Sequence, residues 1–146
     1  MEKLLTTLAL AFISTSTMAE WTKVGESDKK GGYTAYADLA SIRKVGDRAK
    51  MWALFDYKIT QKVSGVDFLS EKIRREYDCK EKQMRVLAFS LFGWNMESGE
   101  LVRSYVQPQK WVAVQAESID ETEWNIAKNY ISDLFSAYKA VAGKCC

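Results

Sequence analysis

Residues 48–58, RAKMWALFDYK, read as one long β-strand, rich in aromatic and apolar side chains and entered through the turn Val45-Gly46-Asp47. Gly46 and Asp47 are residue types that tolerate the positive φ of a tight hairpin turn. Upstream, WTKVGES (21–27) and YTAYADL (33–39) have the same β character and are joined by the polar loop DKKGG. Downstream, strands are expected over residues 68–79, over MRVLAFSLFGW (84–94) and, after the loop NMESG, over ELVRSYV (100–106). Connections this short favour antiparallel neighbours, because a parallel pair needs a crossover of about a dozen residues. The economical topology is a meander of about six strands.

After residue 118 the period changes. Ile119, Ala127, Tyr130, Ile131, Leu134, Tyr138, Val141 and Ala142 recur at spacings of three and four, which predicts one long helix with one apolar stripe. Ser118 and Glu121 have the spacing of a capping box, and Gly143 stands where a left-handed C-cap belongs. A helix over 119–142 would be roughly 36 Å long at 1.5 Å per residue, enough to lie along a twisted sheet. The fold class is therefore α+β, with an antiparallel meander and a C-terminal helix on one face.

The opening MEKLLTTLALAFISTSTMAEW has the layout of a secretory signal: Lys3, an apolar run from Leu4 to Ile13, then small residues with Thr17 and Ala19 suited to a peptidase cut. Residues 1–19 are expected to be removed and residues 20–146 to form a single domain. The apolar run is too short to cross ~30 Å of hydrocarbon, and Glu20 and Trp21 stand where a lipoprotein would carry its cysteine. An exported chain meets an oxidising compartment, the periplasm or the outer cell surface, so its three cysteines read first as a disulfide framework. Cys79 is the only internal partner for Cys145 or Cys146. Closing about 67 residues would stabilise the fold by roughly 4 kcal/mol, less any strain. The remaining cysteine is either idle or available for an intermolecular disulfide; a vicinal Cys145–Cys146 bridge is disfavoured by geometry. If Cys79 faces the helix, strand alternation puts Tyr77, Arg75 and Ile73 on that side and Asp78, Glu76 and Arg74 on the other.

Chemistry has few footholds. The chain has no histidine, no nucleophile elbow, no phosphate loop and no CxxC pair, so neither an enzyme, a metal centre nor a cofactor site is expected. A net charge of +2 argues against a dedicated nucleic-acid binder. Five tryptophans, seven tyrosines and six phenylalanines against one proline mark a folded domain. The acids Glu117, Asp120, Glu121 and Glu123 gather where they would favour the positive end of the helix dipole, and Tyr130, Phe135 and Tyr138 read as core. The candidate ligand-binding residues are Lys72 and Arg74, basic side chains directed away from the helix, and Trp94 and Met96, large apolar side chains near a hairpin tip. They would be anchors for a partner or a cover for one end of the sheet.

WTKVGES, YADLASIRKVGDRAKMWALFDYK, REYDCKEKQMRVLAFSLF and VQPQKWVAVQAESIDETEW together resemble, in order, the surface-adhesin protein E family of Gram-negative bacteria, over nearly the whole expected mature chain. The resemblance implies an antiparallel sheet with a C-terminal helix held by a disulfide from the YDC cysteine, Cys79. For function it implies a cell-surface adhesin for host extracellular-matrix and serum glycoproteins such as laminin and vitronectin, acting as a homodimer. The leader lacks the lipoprotein cysteine of the name-giving adhesin, and GKCC leaves the partner of Cys79 open between Cys145 and Cys146. The alternative is a periplasmic structural or assembly factor that uses the exposed sheet face or the spare cysteine to join an envelope complex.

Overall fold

A computed structural model describes residues 19–130. The expected signal segment up to residue 18, the expected helix residues 131–142 (Phe135 and Tyr138 among them), Gly143, Cys145 and Cys146 lie outside the described residues. Six strands follow one another across one antiparallel sheet: β1 Trp21–Ser27, β2 Tyr33–Val45, β3 Arg48–Val63, β4 Val66–Asp78, β5 Gln83–Phe92 and β6 Leu101–Val106. The meander expected from the short connections is the observed topology. A seventh strand, β7 Val112–Ala113, pairs with the start of β5 through Gln83 and Met84, beyond the stretch of β5 that β6 covers.

Strands β2 and β3 are longer than their apolar cores suggest. Between Asp38 and Arg43 the register slips, and Ser41 fills the irregularity by accepting a hydrogen bond from the Trp52 amide at 2.9 Å and donating to the Asp38 carbonyl at 2.6 Å. The insertion turns Ile42 into the core.

Helix α1, Ile119–Asn129, lies on one face of the sheet. Ser118 caps it by accepting from the Glu121 amide at 3.2 Å, while the Glu121 carboxylate accepts from the Glu117 amide at 3.4 Å. At Gly25 of β1 an added Cβ would lie 2.8 Å from Ile119 Cδ1, so the glycine admits the first turn of the helix onto the sheet. Within the described residues the helix ends at Asn129, and Tyr130 is extended at φ −60° and ψ 125°. Lys44 of β2 donates to the Lys128 carbonyl at 2.6 Å, satisfying one of the acceptors that every helix end leaves over. A stripe in constant phase cannot reveal such a break.

Two apolar clusters fill the helix face. One joins Met51, Tyr77, Cys79, Met84 and Val114 to Trp124 and Ala127 of α1. The other gathers Phe55, Tyr57, Phe68, Ile73 and Leu91, with Ile119 against its edge. Cys79, 3 % exposed, sits beneath the helix and is not a free thiol; its expected pairing involves cysteines outside the described residues.

Candidate functional site

The ladder registers decide which side chains share the outer face, opposite α1. Residues paired directly across antiparallel strands point the same way. One row runs Trp21, Asp38, Trp52, Arg74, Ala88 and Val106. The next, about 7 Å along the strands, runs Lys23, Tyr36, Leu54, Lys72, Ser90 and Ser104. On the other side of the first row, Lys50, Glu76 and Arg85 follow in register. Lys72 and Arg74 therefore stand on the outer face, as strand alternation indicated.

Tryptophans underlie these cations. The Lys72 ammonium lies 5.1 Å from the centroid of the Trp52 ring and 5.9 Å from that of Trp21, and the Arg74 guanidinium lies 5.9 Å from Trp52. Trp111, in the crossing between β6 and β7, has Arg48 at 5.0 Å and Arg85 at 4.6 Å. A cation over an aromatic face is held electrostatically without being neutralised. Arg48, Lys50 and Arg85 share one carboxylate, that of the buried Glu76, at 4.0, 3.8 and 2.7 Å. Among the described residues Arg74 makes no ion pair, and it is exposed.

The β5–β6 hairpin loop brings Trp94 and Met96 to the same face. It folds over two residues that are themselves paired, Asp56 and Ser70. Asp56 Oδ1 accepts from Asn95 Nδ2 at 3.0 Å and from the Met96 amide at 2.8 Å. Ser70 Oγ donates to the Trp94 carbonyl at 2.6 Å and accepts from the Glu97 amide at 3.0 Å. Met96 and Glu97 adopt left-handed φ values of 54° and 59°, and the loop thereby lays the Glu97 carboxylate on Lys72 at 2.6 Å. Trp94 remains 67 % exposed and Met96 42 %. The Trp94 ring rests on Gly99, where a Cβ would come within 2.0 Å of it. The four candidate residues thus share one face and one end of the sheet, joined through Glu97. Trp21, Trp52 and Glu97 are the members sequence reasoning missed; strand register brings the two tryptophans to Lys72, and the loop fold brings Glu97.

The opposite face holds a buried polar cluster. Arg75 Nη1 donates to Glu123 Oε2 at 2.5 Å and to Asp120 Oδ1 at 2.8 Å, and the Tyr77 hydroxyl donates to Glu123 Oε2 at 3.1 Å. Asp120 and Glu121 do stand in the first turn, where the helix dipole favours them, and they also meet Arg75 and Lys82; Glu123 departs from that reading, since it is wholly buried. Burial pushes the Glu123 carboxyl above its ordinary range, with Arg75 opposing. Burial also works against the Arg75 charge, but Glu123, Tyr77 and Asp120 outweigh it and hold the guanidinium protonated. Nearby, burial raises Glu71 although the Tyr57 hydroxyl donates to it at 3.1 Å. A cluster held between sheet and helix serves cohesion: Arg75, Tyr77 and Glu123 are buried and bonded to one another, and only Asp120 reaches solvent. An apolar groove of about 500 Å³ between β1, β2 and α1 is bordered by Val24, Leu39, Ile126 and Tyr130. Among the described residues no group of three or more acidic or thiol side chains is placed to hold a metal, and no helix is long and apolar enough to cross a membrane.

Among the described residues the sheet is covered by a helix on one face, and the other face displays charged and aromatic side chains. The surface-adhesin protein E family matches residues 21–127, and the chain belongs to that family. It is an adhesin-type surface protein, exported, of a family that points to binding of host molecules and not to catalysis. No curated protein matches the sequence. The fold is similar to that of Haemophilus influenzae protein E in crystal form II, with a TM-score of 0.53 at 10 % identity over 64 % of this chain and 78 % of that one. The selenomethionine form of H. influenzae protein E gives 0.53 at 12 % identity, over 66 % and 80 % of the two chains. Protein E from non-typeable H. influenzae gives 0.51 at 9 % identity, over 78 % and 80 %. At such identities the likeness is one of fold.

Proposed function

We propose that this protein is an adhesin that engages host extracellular-matrix or serum glycoproteins, laminin and vitronectin being the first to try, through the outer face of its sheet. The observation that carries this reading is the convergence of Lys72, Arg74, Trp94 and Met96 on one face of the sheet. Exposed aromatic side chains beside cations are what a protein partner's hot spots require. The cations add steering that weakens as salt rises. Residues 1–19 are removed on export in this reading, and residues 20–146 act as one domain at the outer cell surface. A disulfide from Cys79 to Cys145 or Cys146 ties the chain's end beneath the helix, and the other terminal cysteine is available to link two copies.

The test is binding of laminin and vitronectin to the purified protein and to its Lys72→Glu/Arg74→Glu variant, at low and physiological salt. Loss of binding in the variant, with an unchanged circular dichroism spectrum, supports the outer face as the contact surface. Equal binding by both proteins eliminates it.

A further inference from the structure

The outer side of β4 carries more than a pair of cations. From Lys72 to Arg48, which pairs opposite Asp78, the face runs six residues along the strand, about 20 Å. Along that line lie Lys72, Arg74, Lys50, Arg85 and Arg48, in two groups that each straddle a tryptophan: Lys72 and Arg74 on Trp52, Arg85 and Arg48 on Trp111. Three acids lie among them: Asp78, which meets Arg48 at 3.9 Å, Glu76 and Glu97. Glu76, 5 % exposed, lies beneath three of the cations, and Glu97 reaches Lys72 only because the hairpin loop folds over it.

We propose that this line is a binding track for a linear sulfated glycan, and that Glu97 is an internal anion which the glycan displaces from Lys72. The inference rests on the reading of the outer face as the contact surface and names the chemistry it takes. Glu97 shows that an oxyanion can sit on Lys72 at hydrogen-bond distance, 2.6 Å. Lys72 and Arg74, about 7 Å apart on one strand, and the cations beyond them meet a chain that repeats its negative charges. An acidic peptide fits less well, because an extended peptide draws its affinity from an open strand edge. β4 lies in the interior of the sheet, its backbone paired to β3 and β5, and offers charge without an edge. Displacement of Glu97 removes one of the ties of the loop that carries Trp94 and Met96, leaving those to Asp56 and Ser70 in place, so glycan binding loosens the loop without releasing it. Left-handed φ at both Met96 and Glu97 marks the loop as a conformation the sheet contacts must hold in place.

Heparin is the probe, titrated into the full chain, with laminin and vitronectin binding measured on the same preparations. Wild-type protein is expected to bind heparin with an affinity that falls as salt rises. Glu97→Gln is expected to tighten it roughly two- to fivefold, the worth of one partly exposed ion pair. Lys72→Glu/Arg74→Glu is expected to weaken it at least fivefold and to lower the slope of log affinity against log salt by about two. Unchanged or weaker heparin binding by Glu97→Gln overturns the displacement, and heparin binding indifferent to the charge reversals overturns the track. Competition by polyglutamate as effective as by heparin overturns the glycan as occupant in favour of an acidic peptide. If the reversals abolish glycoprotein binding while heparin never binds, the glycan inference fails and the adhesin reading stands. Heparin bound on this face with neither glycoprotein binding has the opposite meaning.

Discussion

Replacing Glu123 by alanine asks what holds α1 on the sheet. Its carboxylate is wholly buried and accepts from Arg75 and Tyr77. Removing one partner of a buried ion pair strands the other charge and typically costs about 3–5 kcal/mol. Here Asp120 still contacts Arg75 at 2.8 Å and is 30 % exposed, which sets the loss near the lower end, about 3 kcal/mol. At about 4 °C per kcal/mol for a domain of this size, thermal unfolding followed by circular dichroism should show Tm lowered by about 12 °C. The comparison is Arg75→Met/Tyr77→Phe/Glu123→Leu, which removes the charges and the hydroxyl together. Apolar replacements of similar volume should leave stability within about 1 kcal/mol of wild type or above it. A Glu123→Ala variant melting within 3 °C of wild type would mean that the ion pair does not anchor the helix. A triple variant as unstable as the single one would show that the loss does not come from a stranded charge. Among the described residues Arg75 Nε and Glu123 Oε1 find no hydrogen-bond partner, which is consistent with a cluster whose net worth is small while its disruption is costly.

Other consequences are open to measurement. Glu71, raised by burial from an ordinary value of 4.5, binds its proton more tightly in the folded protein. Its contribution is therefore fully present below that value and is lost as pH rises through the folded one, so the Tm of Glu71→Gln relative to wild type should grow between pH 4 and 7. Ser118→Ala removes the side-chain acceptor for the Glu121 amide and should cost about 1 kcal/mol in chemical denaturation. Cys79→Ser should lower stability by about 2–4 kcal/mol and abolish any effect of reductant on Tm, which wild type should show.

Much of this architecture is legible in the residues, and where it is not the reasons are physical. β1 occupies the stretch WTKVGES that its composition and flanking loop marked out. The Ser118–Glu121 cap was readable because capping is a local contact three residues apart. β7 has two residues and no periodicity to detect. At the end of α1, Lys44, a side chain from β2, reaches the Lys128 carbonyl, and no local pattern encodes that contact. Glu123 looked like a dipole acid because Arg75 lies 48 residues away in sequence. At the candidate site, Lys72 and Arg74 could be assigned to the outer face from alternation alone, and Trp94 and Met96 could be suspected from their loop. The tryptophans under the cations and the carboxylate over Lys72 follow from register and from a loop fold, both set by tertiary packing.

The most direct test of the outer face as the ligand-binding surface is a lysine-acetylation footprint, read by mass spectrometry with and without bound vitronectin or laminin. Lys50 and Lys72 lie on the outer face, whereas Lys82 and Lys128 stack on Trp124 of α1. Protection of Lys50 and Lys72, with Lys82 and Lys128 modified as before, is the expected result. Protection of Lys82 and Lys128 with Lys50 and Lys72 unchanged would place the ligand on the helix side and contradict the account.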